Sequence, residues 1–330
     1  MEERKRDHIN LAFQSRVEPD GANKPYNYEP LLAAHPSDNM LPFGFAGKTM
    51  QLPVWVSSMT GGTAMAGIIN RNLAKACAEF GMGMGLGSCR ALLDDDKFLS
   101  DFDIRDIIGD DAPLYANLGV AQVENLISSK SLDKVDELIH MLRTDGIIIH
   151  VNPLQEAFQP EGDRFSVPPI ETIQAFLENS SVRLIVKEVG QGMGPESLRA
   201  LLKLPLEAIE FGALGGTNFT KLELLRHQNH DVSVFDSFKN VGHTAEEMTQ
   251  IVDEIVASNH EIKCRQIIVS GGITDVLQGH FLAKKCKLPA VLGMGSAFLK
   301  HSTEDYSSLK QYVQQIKQSI LIAEQYLMLK

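Results

Sequence analysis

From residue 52 onward the chain alternates short, near-continuous apolar runs with amphipathic stretches. The runs fall at 52–57, 82–86, 113–116, 146–150, 183–188, 208–212, 266–270 and 290–292. Residues 65–80 and 132–142 instead repeat apolar positions at helical spacing. A strand exposed on one face alternates apolar and polar residues, whereas an unbroken apolar run belongs in a sheet covered on both faces. Eight such runs separated by helices predict an α/β fold, a (β/α)8 TIM barrel of parallel strands. A doubly wound open sheet is the competing arrangement. Closure is favoured because polar residues and glycines gather after nearly every run, at strand ends that a barrel brings to one mouth.

Residues 1–51 contain no convincing core run and are broken by Pro19, Gly21, Pro25, Pro30, Pro36 and Pro42. They predict an arm and irregular cap, with one short helix near 7–15, attached to a barrel domain of residues 52–330. The stretch 218–241, with Lys221, Arg226, His227 and His230, is long and weakly periodic. It predicts an excursion over the mouth or into a neighbouring subunit. A closing amphipathic helix is predicted over 306–329.

Composition narrows the class. The 330 residues are 44% hydrophobic and 22% charged, enough for a large core. A formal net charge of −11 argues against a nucleic-acid surface while leaving room for local cations around a small anion. Cys77, Cys89, Cys264 and Cys286 form no C-x-x-C pair, so they read as reduced thiols. The N-terminus has no signal-peptide pattern and no apolar segment approaches membrane length, so the expected location is the cytoplasm.

The strand ends carry the candidate chemistry. Gly215-Gly216-Thr217, Gly271-Gly272 and Gly295-Ser296 follow the last three runs, where barrels commonly cradle a ligand phosphate with backbone N–H groups. Lys187 interrupts an apolar run, and an ammonium there demands a partner. It reads as a stabiliser of negative charge on a flavin ring, as a Schiff-base lysine, or as a structural partner of Glu188 or Glu210. Glu156, beside Asn152 and Gln155, reads as a Mg²⁺ ligand or as a carboxylate at a helix start. His150 reads as a hydrogen-bonded core histidine, and Cys89, with no base supplied for it, as a packed thiol rather than a nucleophile.

Several blocks together resemble the type 2 isopentenyl-diphosphate isomerases. They are Arg4-Lys5-Arg6-Asp7-His8-Ile9-Asn10, Met59-Thr60-Gly61-Gly62, Gly87-Ser88-Cys89-Arg90, Ala116-Asn117-Leu118-Gly119, His150-Val151-Asn152-Pro153-Leu154-Gln155-Glu156, Pro160-Glu161-Gly162-Asp163-Arg164, Val186-Lys187-Glu188-Val189-Gly190, Gly215-Gly216-Thr217-Asn218-Phe219 and Ser270-Gly271-Gly272. The resemblance implies a barrel that uses reduced FMN and Mg²⁺ to interconvert isopentenyl and dimethylallyl diphosphate, with NADPH as reductant. It also implies a homotetramer or larger assembly.

The flavin contacts so implied are Met59, Thr60, Gly61, Ser88, Asn117, Lys187, Thr217, Gly271, Gly272, Gly295 and Ser296. The substrate would meet Arg4, Lys5, His8, Ser88, Cys89, Arg90, Asn152 and Gln155, with Gln155 and His8 as catalytic support and Glu156 holding the metal. A basic N-terminal run thereby acquires a purpose, folding over a diphosphate. The chain departs from the family's pattern at Cys89, usually glutamine, and near Phe238, where a tryptophan is usual. Many relatives also continue beyond the position of Lys330. An FMN-dependent oxidase or dehydrogenase barrel and a silent flavin-binding protein are the alternatives.

Overall fold

The computed structural model describes residues 2–18, 25–58, 64–226, 233–258 and 261–330, the side chains of Glu2 and Ala64 excepted. Three short strands precede the barrel: β1 (Tyr26–Tyr28), β2 (Phe43–Phe45) and β3 (Lys48–Met50). The eight apolar runs become β4 (Val54–Val56), β5 (Gly83–Gly85), β6 (Leu114–Gly119), β7 (Gly146–Val151), β8 (Leu184–Glu188), β9 (Ala208–Glu210), β10 (Ile267–Ser270) and β11 (Ala290–Met294). These close as one parallel barrel, β11 pairing with β4 through Leu292–Val54 and Gly293–Trp55. The open-sheet alternative is thereby excluded.

Strand periodicity sorts the side chains into two cores. Trp55, Tyr115, Ile148, Ile185, Ala208, Ile268 and Val291 form a cluster inside the barrel. Their strand neighbours Val54, Val56, Leu114, Ala116, Ile147, Ile149, Val186, Ile209 and Val269 pack outward under the helices. The helix Asp133–Leu142 shows the matching pattern, burying Val135, Leu138 and Leu142 on one face.

The first 51 residues differ from their expectation. The first helix runs Glu2–Leu11 rather than near 7–15, and the cap contains strands. Strands β2 and β3 form a hairpin turning at Ala46 and Gly47, whose φ of 48° and 77° suit the tight turns that match strand twist. Phe45, Ala46 and Met50 join the interior cluster and plug the barrel floor, where Tyr115 Oη donates to Ala46 O at 3.0 Å. Short runs broken by proline hide these strands from a reading based on periodicity. At the other terminus the helix stops at Tyr326, and β12 (Leu327–Leu329) pairs antiparallel with β1. Within 218–241, a helix spans Phe219–Arg226 and a 3-10 helix spans Ser233–Asn240. Phe235 and Phe238 rest on Phe158 at centroid distances of 5.3 and 5.4 Å. No helix among the described residues is long and apolar enough to cross a membrane.

Candidate active site

The inward positions two residues beyond the interior apolar cluster are Ser57, Asn117, His150, Lys187, Glu210, Ser270 and Gly293. Strand alternation keeps them on the same face, so a polar layer sits directly above the apolar floor. Gly119, His150, Lys187 and Glu210 are neighbours in register across β6, β7, β8 and β9.

Hydrogen bonds fix this layer. Asn117 Nδ2 donates to Leu86 O at 3.1 Å, leaving Oδ1 to accept from His150 Nδ1 at 2.7 Å. That assignment places the imidazole proton on Nδ1 and makes Nε2 an acceptor. Burial, aided by Lys187, pushes His150 down to about 4, so the ring is neutral at pH 7. Lys187 is 8% exposed and donates to Glu188 O at 2.7 Å. Glu188 Oε2 accepts from the N–H groups of Gly190, Gln191 and Gly192 at 2.7, 2.7 and 2.8 Å, tying down the loop after β8. Glu210 is fully buried and accepts from Ser270 Oγ at 3.3 Å.

The glycine loops after β9 and β10 press together backbone to backbone. Gly271 has φ of 87°, and a Cβ on it would lie 2.3 Å from Ala213 N and O. A Cβ on Gly272 would lie 2.3 Å from Leu214 O. Glycine is therefore required at both positions. Among the described residues the N–H groups of Gly215, Gly216 and Gly272 meet no protein acceptor. Thr217 is exposed beside them, and Gly295-Ser296 opens the helix Ser296–Ser302 after β11.

A polar chain occupies the β5–β7 side of the mouth. The helix Pro153–Phe158 begins just after β7, with proline at its first position, where no N–H partner is needed. Asn152 Nδ2 donates to Gln155 Oε1 at 3.0 Å and to Glu156 Oε1 at 2.9 Å. Glu156 Oε2 accepts from Asp163 N at 2.7 Å. Asp163 Oδ2 accepts from Arg90 at 2.8 Å and from Gln122 Nε2 at 2.7 Å. Gln155 Nε2 donates to Glu223 Oε1 at 3.2 Å, and Arg226 bridges Glu223 and Glu161. The structure thus joins Arg90, Asn152, Gln155 and Glu156, which lie far apart or interleaved with apolar residues in sequence.

Other candidates lie elsewhere. Ser88 and Arg90 are exposed, but Cys89 between them is fully buried in the outer core, its Sγ turned to Gly87 O at 3.4 Å. Burial pushes that thiol up to about 12. Arg4, Lys5 and His8 stand on the exposed Glu2–Leu11 helix, and no described hydrogen bond or ion pair ties them to the strand ends. Met59, Thr60, Gly61, His227 and His230 lie outside the described residues. A cavity of about 720 Å³ lies at the opposite end of the barrel, among Phe43, Pro53, Ala290, His280 and Glu324, and none of the candidate residues lines it. Glu210 and Ser270 belong to the polar layer although the sequence assigns them no place in the site. Counting two residues on from the last inward apolar side chain finds both.

No family model matches the chain. It is 32% identical over 332 residues to the isopentenyl-diphosphate delta-isomerase of Rickettsia felis, covering 97% of this chain and 91% of the relative. It is 33% identical over 280 residues to that of Rickettsia prowazekii, covering 84% and 78%. Among solved structures it resembles a mandelate oxidase mutant carrying a monooxide FMN adduct, with TM-score 0.57, 13% identity and coverage of 92% and 87%. The flavin-binding domain of baker's yeast flavocytochrome b2 gives TM-score 0.60, 11% identity and coverage of 91% and 71%. The two structures share the barrel with this chain, while identity sustained over nearly its whole length assigns the chain to the isopentenyl-diphosphate delta-isomerase family.

Proposed function

We propose that the protein interconverts isopentenyl and dimethylallyl diphosphate as a type 2 enzyme, using reduced FMN and Mg²⁺. The observation that carries this reading is the polar layer over the apolar barrel floor, flanked by glycine loops whose N–H groups lack protein acceptors. Those loops fit the FMN phosphate, because their close glycine-to-glycine packing gathers unpaired backbone donors from two strand ends. Thr217 and the Ser296 helix start supply further donors. Lys187 and Asn117 fit the ring, one offering positive charge and the other an ordered amide. Ser88 completes the described cofactor contacts, and Met59, Thr60 and Gly61 are assigned to it from the sequence.

The reaction adds a proton at one carbon and removes one from another, with no net redox change. Reduced FMN, when bound, supplies the acid–base chemistry for this exchange. The chain's own residues bind and orient the substrate. Arg90, Asn152 and Gln155 line one wall, with Gln155 held between Asn152 and Glu223. Neutral His150 holds its proton toward Asn117 and presents an acceptor at Nε2. Glu156 fits Mg²⁺: each oxygen accepts one protein hydrogen bond and keeps a lone pair. Among the described residues no group of three or more potential ligands exists, which suits an ion that draws most of its shell from water and diphosphate. Arg4, Lys5 and His8 would close over the diphosphate, His8 acting with Gln155 as catalytic support.

NADPH is the proposed reductant, the cytoplasm the location, and a homotetramer or larger assembly the functional form. The test is reconstitution with FMN, anaerobic reduction by NADPH or dithionite with Mg²⁺, and observation of isopentenyl diphosphate by NMR. Conversion to the dimethylallyl isomer is expected. Absence of conversion while reduced flavin is bound would sink the isomerase reading.

A further inference from the structure

Glu210 is the one carboxylate of the polar layer that faces the barrel axis while fully buried. Its Oε1 accepts from Ser270 Oγ, but its Oε2 is buried with no hydrogen-bond partner among the described residues. A buried carboxylate with an unused oxygen is costly unless a cation balances it. The groups that could affect that balance come from the strands around the polar layer. From β7 comes His150, held neutral with its Nδ1 proton committed to Asn117. Glu188, beside Lys187 on β8, points to the other face by strand alternation, and its carboxylate serves the three N–H groups of its own loop. Strands β4 and β10 bring only the hydroxyls of Ser57 and Ser270. Lys187 remains. It is the register neighbour of Glu210 on β8 and is itself buried; burial pushes the Glu210 carboxyl up, and Lys187 is the charge that opposes that push. It also has capacity to spare, since one of its three N–H donors is used, by Glu188 O.

We infer that Glu210 is the internal counter-ion of Lys187, and that it thereby sets the charge Lys187 presents to a ring bound at the mouth. The second half rests on the flavin reading above; the first does not. Glu210 is in this account a positioning residue, acting through Lys187 rather than on the substrate. With Glu210 ionised, the pair is neutral and the lysine's field at the ring is partly cancelled. With the carboxylate removed, the lysine's charge stands alone and favours the electron-rich, reduced ring.

The experiment has two arms. In the first, wild type, Glu210→Gln and Glu210→Asp are reconstituted with FMN, and the two-electron midpoint potential is measured by dye equilibration at pH 7. Glu210→Gln is expected to raise the potential by about 30 mV, a tenfold change in the reduction equilibrium. Glu210→Asp, which restores the charge, is expected to return it toward wild type. Equal potentials in wild type and Glu210→Gln overturn the electrostatic role, since a packing role alone would not discriminate Gln from Asp in this way.

The second arm needs no cofactor and so separates failure of this inference from failure of the flavin reading. Urea unfolding of apo wild type, Lys187→Met, Glu210→Gln and the double variant forms a thermodynamic cycle. The double variant is expected to lose at least tenfold less in its unfolding equilibrium constant than the product of the single losses. Multiplicative losses overturn the pairing. A single variant too unstable to fold, beside a double variant that folds, supports it; failure of both single variants and the double to fold overturns it.

Discussion

Gly271→Ala, compared with Gly109→Ala, isolates the steric demand of the loop after β10. Both glycines have left-handed φ, 87° and 79°. At Gly109, whose ψ is 177°, a new Cβ meets nothing within 4 Å, so alanine there bears only backbone strain, about 1–3 kcal/mol. At Gly271 the strain of a positive φ is joined by contacts of 2.3 Å to both Ala213 N and Ala213 O. Ala213 N donates to Ser270 O at 2.9 Å, so relief of the clash must part the loops after β9 and β10. Overpacking against main chain adds about 1–3 kcal/mol, giving roughly 2–6 kcal/mol in all for Gly271→Ala. Urea unfolding of the apo-proteins reads this directly, as a midpoint shift at unchanged slope. FMN titration adds a second reading, with affinity expected to fall for Gly271→Ala and to hold for Gly109→Ala. Equal midpoints for the two variants would refute the argument that these loops pack through their glycines.

Further outcomes follow from the same geometry. Glu156→Gln keeps an acceptor for Asp163 N but removes the charge; activity is expected to fall at least tenfold, with a weakened response in a Mg²⁺ titration, and an unchanged metal response would remove Glu156 from its role. His150, with its folded pKa depressed from 6.5 to about 4, makes the unfolded chain the stronger proton binder between those values. Wild type should therefore lose stability as pH falls through that window and His150→Gln should lose less; parallel stability profiles would place the histidine's proton elsewhere. All four cysteines are buried, with Cys89, Cys264 and Cys286 pushed up to about 12 and Cys77 higher still. A thiol reagent such as DTNB should label the native protein only at the rate of opening, and a fast burst would show a thiolate at the surface.

Much of the barrel was legible because its strands are buried on both faces. A run such as Gly146–Val151 must be apolar throughout its lower part, and the eight runs survive as strands with boundaries shifted by a few residues. Glycines at strand ends were equally legible, since an anion cradle and a tight loop contact both forbid a side chain. The cap was not legible: β2 and β3 have three residues each, too few for a period, and their burial comes from plugging a floor made by distant strands. Strand β12 was read as helix because Leu327–Leu329 continues an apolar pattern, and only pairing with Tyr26–Tyr28 takes it out of the helix.

The candidate site divides in the same way. Sequence by itself determined which residue types were present at the strand ends: the glycines, Lys187, Asn152, Gln155 and Glu156, each chosen by backbone or charge constraints that act locally. Tertiary structure decided their partners. It buried Cys89 while leaving Ser88 and Arg90 exposed, joined Arg90 to Glu156 through Asp163, and set Glu210 beside Lys187 across two strands. Closing the barrel fixes which residues share a height and a face. That register is a property of eight strands together, and no single strand carries it.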